Sequence, residues 1–206
     1  MRTFAVVVLL LAVCTFSAHA QTGPKIQLLV DGELGFPTTP ESFTDGWSAV
    51  GFGGGVGIGI ELLPIVVVTA NFNFTRVGLD EEGSLPLGIS PDTVSVDGGA
   101  INVLYVWAGG KLYLMEEGSA RPYVVGGLGY YRLSASDLDI TSSGVTQTFE
   151  FESESVLGAN AGIGVDVAVG DAMNVFFEGQ YQIGFTEEES TGHVPVRVGL
   201  VFMFGQ

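Results

Sequence analysis

From residue 26 onward the chain alternates between apolar positions and polar or small ones with a period of two. Val66, Val68, Ala70, Phe72 and Phe74 interleave with Val67, Thr69, Asn71, Asn73 and Thr75. That is the pattern of a strand with two unlike faces, and no helical spacing competes with it. Eight runs read this way: Ile26 to Phe36, Ser48 to Leu62, Ile65 to Leu79, Gly99 to Leu114, Pro122 to Ser136, Ser155 to Val169, Met173 to Glu187 and His193 to Phe204. The connectors alternate in length. Pro37 to Trp47, Asp80 to Gly98 and Asp137 to Glu154 are long, Glu188 to Gly192 is intermediate, and Leu63-Pro64, Met115 to Arg121 and Gly170 to Ala172 are shorter. Long and short connectors therefore gather at opposite rims, as in a meander closed on itself. The predicted fold class is all-β, an antiparallel up-and-down transmembrane β-barrel of about eight strands.

Alternation alone does not say which face meets solvent, because a soluble barrel and a membrane barrel share it with opposite sense. Residue size decides. The second run sets Phe52, Val56, Ile58, Ile60 and Leu62 against Gly51, Gly53, Gly55, Gly57, Gly59 and Glu61. The sixth sets Leu157, Ala159, Ala161, Ile163, Val165 and Val167 against Gly158, Asn160, Gly162, Gly164 and Asp166. Glycines would leave a soluble core empty, so the apolar face is predicted to meet hydrocarbon and the small and polar face to line the interior. Eight strands leave an interior just wide enough for side chains to fill. Tyr105, Trp107 and Tyr130 are expected there, opposite the glycines. Phe36, Trp47, Phe72, Phe74, Tyr123, Tyr131, Phe185, Phe202 and Phe204, near strand ends, are candidates for interfacial girdles.

The same face assignment gathers charge inside. Asp31, Glu33, Glu61, Lys111, Arg132, Asp166, Glu178 and Arg197 are all assigned to the lumen. Charges in so narrow a space require pairing, and arginine suits two-pronged contacts with carboxylates. A structural network of Glu61, Lys111, Arg132, Asp166, Glu178 and Arg197 is expected, with a narrow ion path as the functional alternative.

Overall charge removes one class of function. Seven Lys and Arg stand against 23 Asp and Glu, a net charge of −16. So acidic a chain repels a phosphate backbone, and no nucleic-acid partner is expected. Residues 1–20 read as a signal peptide: Arg2, an apolar core from Phe4 to Val13, and Ala18-His19-Ala20 as the cleavage pattern, leaving 21–206 as the barrel domain. Outside that segment no apolar run approaches the ~18 residues of a spanning helix. Cys14, the one cysteine, falls inside the leader. A lipoprotein reading of it is disfavoured by the bulk of Val13. The exported chain is expected to carry no disulfide.

Catalytic chemistry finds little to build on. A triad would need His193 with Ser190 and Glu188 or Glu189, three residues in one loop with no nucleophile elbow. No enzymatic activity and no cofactor are expected. Asp80-Glu81-Glu82, Asp137 with Asp139, and Glu187 to Glu189 offer oxygens to divalent cations, but none has the spacing of a calcium loop. Gly53 to Gly55 and Gly126-Gly127 lie within strand patterns and are read as structural glycines.

The leader, the eight alternating runs, the long connectors on one rim and the final run His193 to Phe204 together resemble the small OmpA/OmpX-type outer-membrane β-barrel family. The resemblance covers nearly all of the chain after the leader. It departs at the end, where Phe204 is followed by Gly205 and Gln206 although many members finish on an aromatic residue. It implies a bacterial outer-membrane protein, expected to be monomeric and surrounded by outer-membrane lipid or lipopolysaccharide. The implied roles are envelope integrity or surface interaction, with divalent cations at the acidic loops. The alternatives are a secreted lipocalin-like carrier barrel, which needs its apolar face inside, and a lipid-modifying barrel esterase.

Overall fold

The computed structural model describes residues 24–39, 48–78, 95–98, 100–136, 138–142, 145–149, 153–186 and 190–205. The expected leader with Cys14, Trp47, Asp80 to Glu82, Asp137 and Glu187 to Glu189 lie outside the described residues. In chain order the described strands are β1 (Ile26–Thr39), β2 (Gly51–Leu63), β3 (Val66–Val77), β4 (Ser95–Gly98), β5 (Ile101–Tyr113), β6 (Ala120–Ala135), β7 (Leu138–Ser142), β8 (Val145–Phe149), β9 (Glu154–Gly170), β10 (Met173–Gly184) and β11 (Thr191–Phe204). No helix occurs among the described residues.

Eight strands close into an all-antiparallel barrel in the order β1-β11-β10-β9-β6-β5-β3-β2. The first strand seals against the last, with Ile26 opposite Phe204 and Leu34 opposite Val196. Closure leaves the barrel no unpaired edge, as a hydrocarbon surround requires. The eight barrel strands are those read from the sequence. β4, β7 and β8 are additional: they form a separate three-stranded sheet, drawn from the two longest connectors and therefore at the same end of the barrel. At four and five residues each, they are too short for a two-residue period to show in the sequence.

The outer wall is apolar. Leu128, Leu157 and Ile163 are 70%, 71% and 70% exposed, values that would make one continuous sticky surface in water. On β3 this band runs from Val66 to Phe74, and on β5 from Leu104 to Leu112. Each stretch matches the ~9 to 11 residues a tilted strand needs to cross the hydrocarbon. The inner wall is polar and aromatic. β2 presents Gly51, Gly53, Gly55, Gly57 and Gly59 inward, and the side chains of Asn71 and Asn73 from β3 lie across that space, so a Cβ at Gly55 or Gly57 would collide with them. Gly129 makes room for Tyr105 and Trp107, Gly158 for Tyr131, and Gly164 for Tyr123.

One strand corrects the expected faces. Tyr123 and Tyr131, assigned to the girdles, are buried in the lumen, whereas Tyr130 and Arg132, assigned to the lumen, point outward. A strand's side chains change faces as a set, so a shift of one position moves all four. Alternation could not fix the sense of β6 because both of its faces carry tyrosines. What decides it is long-range: the inward glycines of β9 fit the rings at 123 and 131, and the two hydroxyls find Glu178 and Gln182.

The inward glycines yield a direct test. Gly158→Val would drive a side chain into the Tyr131 ring, whereas Gly179→Val adds its Cβ to open space. On unheated gels Gly158→Val is expected to lose the fast-migrating folded band and Gly179→Val to keep it.

Candidate functional site

The lumen is filled in two layers. The layer nearer the short turns is ionic and centres on Arg197 of β11. Its guanidinium donates twice to Asp31, from Nε to Oδ1 at 3.0 Å and from Nη2 to Oδ2 at 2.7 Å, and its Nη1 donates to Glu178 Oε1 at 2.6 Å. The local cause is register: Arg197 lies directly opposite Glu178 on β10 and opposite Glu33, two residues from Asp31, on β1. From β5, Lys111 reaches across the lumen to stand 3.8 Å from both Asp166 and Glu178. Its ammonium also sits 4.2 Å from the centre of the Tyr123 ring and 5.0 Å from that of Phe176. Such contacts keep a cation satisfied where water is scarce. Tyr113 donates to Asp166, and Tyr123 donates to Glu178 at 2.9 Å.

Amides extend the network upward. Gln180 donates to Glu178 at 2.7 Å and accepts from Asn160 at 2.8 Å and from Gln182 at 3.1 Å. Tyr131 donates to Gln182 at 3.0 Å, joining the ionic layer to an aromatic one. There Tyr131 stacks on Tyr105 with ring centres 4.0 Å apart, Trp107 follows at 6.3 Å from Tyr105, and His193 meets Tyr131 edge-on at 6.0 Å. Glu33 lies beside this layer and accepts from Thr75 and from Asn73, which in turn accepts from the Trp107 indole at 3.3 Å.

The structure thus brings four of the six expected network residues together: Lys111, Asp166, Glu178 and Arg197. Glu61 also faces inward but sits at the rim, 3.6 Å from Lys25 and apart from the network. Arg132 does not belong to it. It points away from the lumen and donates to Ser153 at 3.4 Å. Reasoning from charge missed the neutral partners, above all Tyr113, Tyr123, Gln180 and Gln182, which hydrogen-bond to Asp166, to Glu178 and, from Gln182, to Gln180. The inward parity of the two glutamines on β10 was visible in the alternation of Asn174, Glu178, Gln180 and Gln182.

Nothing among the described residues assembles a triad. His193 is 5% exposed and packs on the lumen side against Tyr131, while Ser190 is exposed just before β11. No cluster of three potential metal-binding side chains occurs among the described residues.

A family model for the outer membrane protein beta-barrel domain matches residues 5–204. The chain belongs to that family. As an outer membrane β-barrel protein it resides in the bacterial outer membrane, which accounts for its apolar wall and polar interior and excludes the soluble carrier reading. Among solved structures it is similar to Neisserial surface protein A, NspA, at 14% identity and a TM-score of 0.56, covering 87% of this chain and 97% of the other. It is also similar to Ail, the attachment invasion locus protein of Yersinia pestis, at 14% identity and 0.53, covering 88% and 99%. OprG from Pseudomonas aeruginosa gives 12% identity and 0.54, covering 90% and 98%. At these identities the likeness concerns the fold. No curated protein matches the sequence.

Removing one partner from a buried ionic network leaves uncompensated charge and is destabilising by about 3–5 kcal/mol. Arg197→Met is expected to lower the stability of this outer membrane barrel by that amount in urea titrations of the refolded protein, while Arg132→Met, exposed in detergent, stays within about 0.5 kcal/mol of the parent. Equal midpoints would remove the network from the barrel's stability.

Proposed function

We propose that the protein is a sealed outer-membrane barrel with a structural and surface-presenting role, maintaining the envelope and holding its long acidic loops outside the cell. The observation that carries this reading is the filled lumen. Arg197, Lys111 and their carboxylates occupy one layer and the stack of Tyr105, Trp107 and Tyr131 the next, so solutes larger than water meet side chains at both depths. An eight-stranded interior has no room to bypass them. The lumen charges are read as structural, held by mutual pairing.

The loops complete the proposal. With six cations against 23 carboxylates once Arg2 leaves with the leader, the exported chain carries −17. Divalent cations between these carboxylates and the anionic headgroups around the barrel would join the loops to the membrane surface. Because every barrel strand is paired on both sides, a monomer needs no partner to complete its sheet. No catalytic step is assigned: the one histidine expected after the leader is enclosed on the lumen side against Tyr131.

Cells lacking the protein are expected to become more sensitive to detergent while their uptake of small solutes is unchanged, and the purified barrel is expected to give no stepwise conductance in planar bilayers. An intact barrier with impaired uptake, or steady conductance steps, would assign transport instead.

A further inference from the structure

The six cations beyond the leader are all among the described residues, and four have roles in the lumen or at the lower rim. Lys111 and Arg197 are in the lumen network, Lys25 pairs with Glu61, and Arg121 packs 3.9 Å over the Tyr113 ring and donates to the Pro64 carbonyl. The remaining two, Arg76 and Arg132, are exposed and face outward. They are the only charged side chains at outward-facing positions of the eight barrel strands, and neither forms an ion pair among the described residues.

Their placement on the wall is shared. On β3 the apolar band ends at Phe74 and the next outward residue is Arg76; on β6 it ends at Tyr130 and the next is Arg132. Both are at the end of the barrel with the long connectors. Between them β5 contributes Asn102, opposite Arg76, and β6 contributes Ser134, opposite Asn102. Two strand spacings across and two residues along separate the arginine backbones by about 12 Å. Their long side chains can therefore serve one extended headgroup. Beside Arg132, β9 supplies Ser155 directly opposite, and Ser153 accepts its hydrogen bond.

Below Arg132 the wall is hollowed. Leu128, Tyr130, Leu157 and Phe185 rim a recess of about 470 Å³, many times the roughly 30 Å³ of one water. Between these large side chains it is lined by Gly129 and Gly158, which carry no side chain to fill it. Its lining is almost wholly apolar, and it opens toward the hydrocarbon.

We propose that this face is a binding site for a doubly phosphorylated glycolipid of the outer leaflet, with Arg76 and Arg132 holding its two phosphates and one acyl chain lying in the recess under Arg132. A cation pair above an apolar recess matches a lipid, which joins anionic and apolar parts in one molecule. Phosphates at opposite ends of a disaccharide span a distance comparable to that between the arginines. Guanidinium groups suit such oxygens through paired hydrogen bonds. The site deepens the reading of the protein as an envelope barrel and rests on it, but is tested on folded protein without reference to barrier or conductance.

The test uses the full barrel refolded in neutral detergent, titrated with diphosphoryl lipid A, monophosphoryl lipid A and inorganic phosphate, with bound lipid counted by native mass spectrometry. Diphosphoryl lipid A is expected to bind best, and Arg76→Gln with Arg132→Gln together to weaken it at least tenfold with the heat-shifted folded band intact. Leu128→Ala with Leu157→Ala, which strips two side chains from the rim of the recess, is expected to weaken it severalfold. Should the double arginine variant misfold, the single Arg132→Gln variant, expected to lose part of the same affinity, replaces it. Undiminished binding by the folded arginine variants, or equal binding of both lipids, would overturn the proposal. Displacement by inorganic phosphate at matching concentration would also overturn it, assigning the arginines to a soluble anion.

Discussion

Closure of β1 on β11 is the constraint from which the rest of the molecule follows. In hydrocarbon an unpaired backbone group has no water to turn to, so a spanning sheet must have no edge. Ile26 meeting Phe204 at one end of that seam and Phe36 meeting Val194 toward the other leave the first and last strands paired along nearly their whole length. Once eight strands are closed, the interior width is set, and it is a width for side chains rather than for solute. Every inward residue then has to fit against the inward residues of the neighbouring strands. The glycines of β2 are the counterpart of the amides of β3, and the glycines of β9 are the counterpart of Tyr123 and Tyr131.

A lumen of that size has few ways to hold charge. Arg197 and Lys111 face Asp31, Asp166 and Glu178, with Glu33 held by Thr75 and Asn73 instead of by a cation. The Coulombic attraction inside is strong, but so is the penalty for leaving water, and the balance favours the folded state only when the remaining hydrogen bonds are also made. Hence the dense ring of neutral groups around the carboxylates: two tyrosine hydroxyls and the Gln180 amide serve Asp166 and Glu178. The ionic cluster and the aromatic stack are therefore one device, coupled through Gln180, Gln182 and Tyr131, and a change in one layer is felt in the other.

The barrel was legible in the chain because strand period, residue size and connector length are local properties. Period two gave eight strands, and glycines opposite large aliphatics on β2 and β9 told which face meets lipid. The inward parity of Lys111, Asp166, Glu178 and Arg197 follows from the same local rule. What was not legible depends on partners far along the chain. The sense of β6 turned on glycines in β9, more than twenty residues away, and so Tyr123, Tyr130, Tyr131 and Arg132 were each placed on the wrong face. That Glu61 pairs with Lys25 at the rim rather than joining the cluster is likewise a matter of register, not of type. β4, β7 and β8 are shorter than the window in which a period can be recognised.

The correction at Arg132 changes more than a face assignment. Inside the lumen a third cation would have nearly balanced the carboxylates; outside, it leaves the interior with an excess of acidic groups and the wall with positive charge at one level only. An arginine at the end of an apolar band can extend its stem along the barrel and keep its guanidinium among headgroups, so its position is tolerated by the bilayer. Tolerance does not explain why the barrel's outward-facing charges are confined to two neighbouring faces at one end, in a chain with so few cations. Anchoring alone would be served as well by cations distributed around the rim or at both ends of the barrel. Concentration on β3 and β6, beside the recess rimmed by Leu128, Tyr130, Leu157 and Phe185, instead gives one sector of the wall an affinity the others lack, and so gives the barrel a preferred neighbour in the membrane.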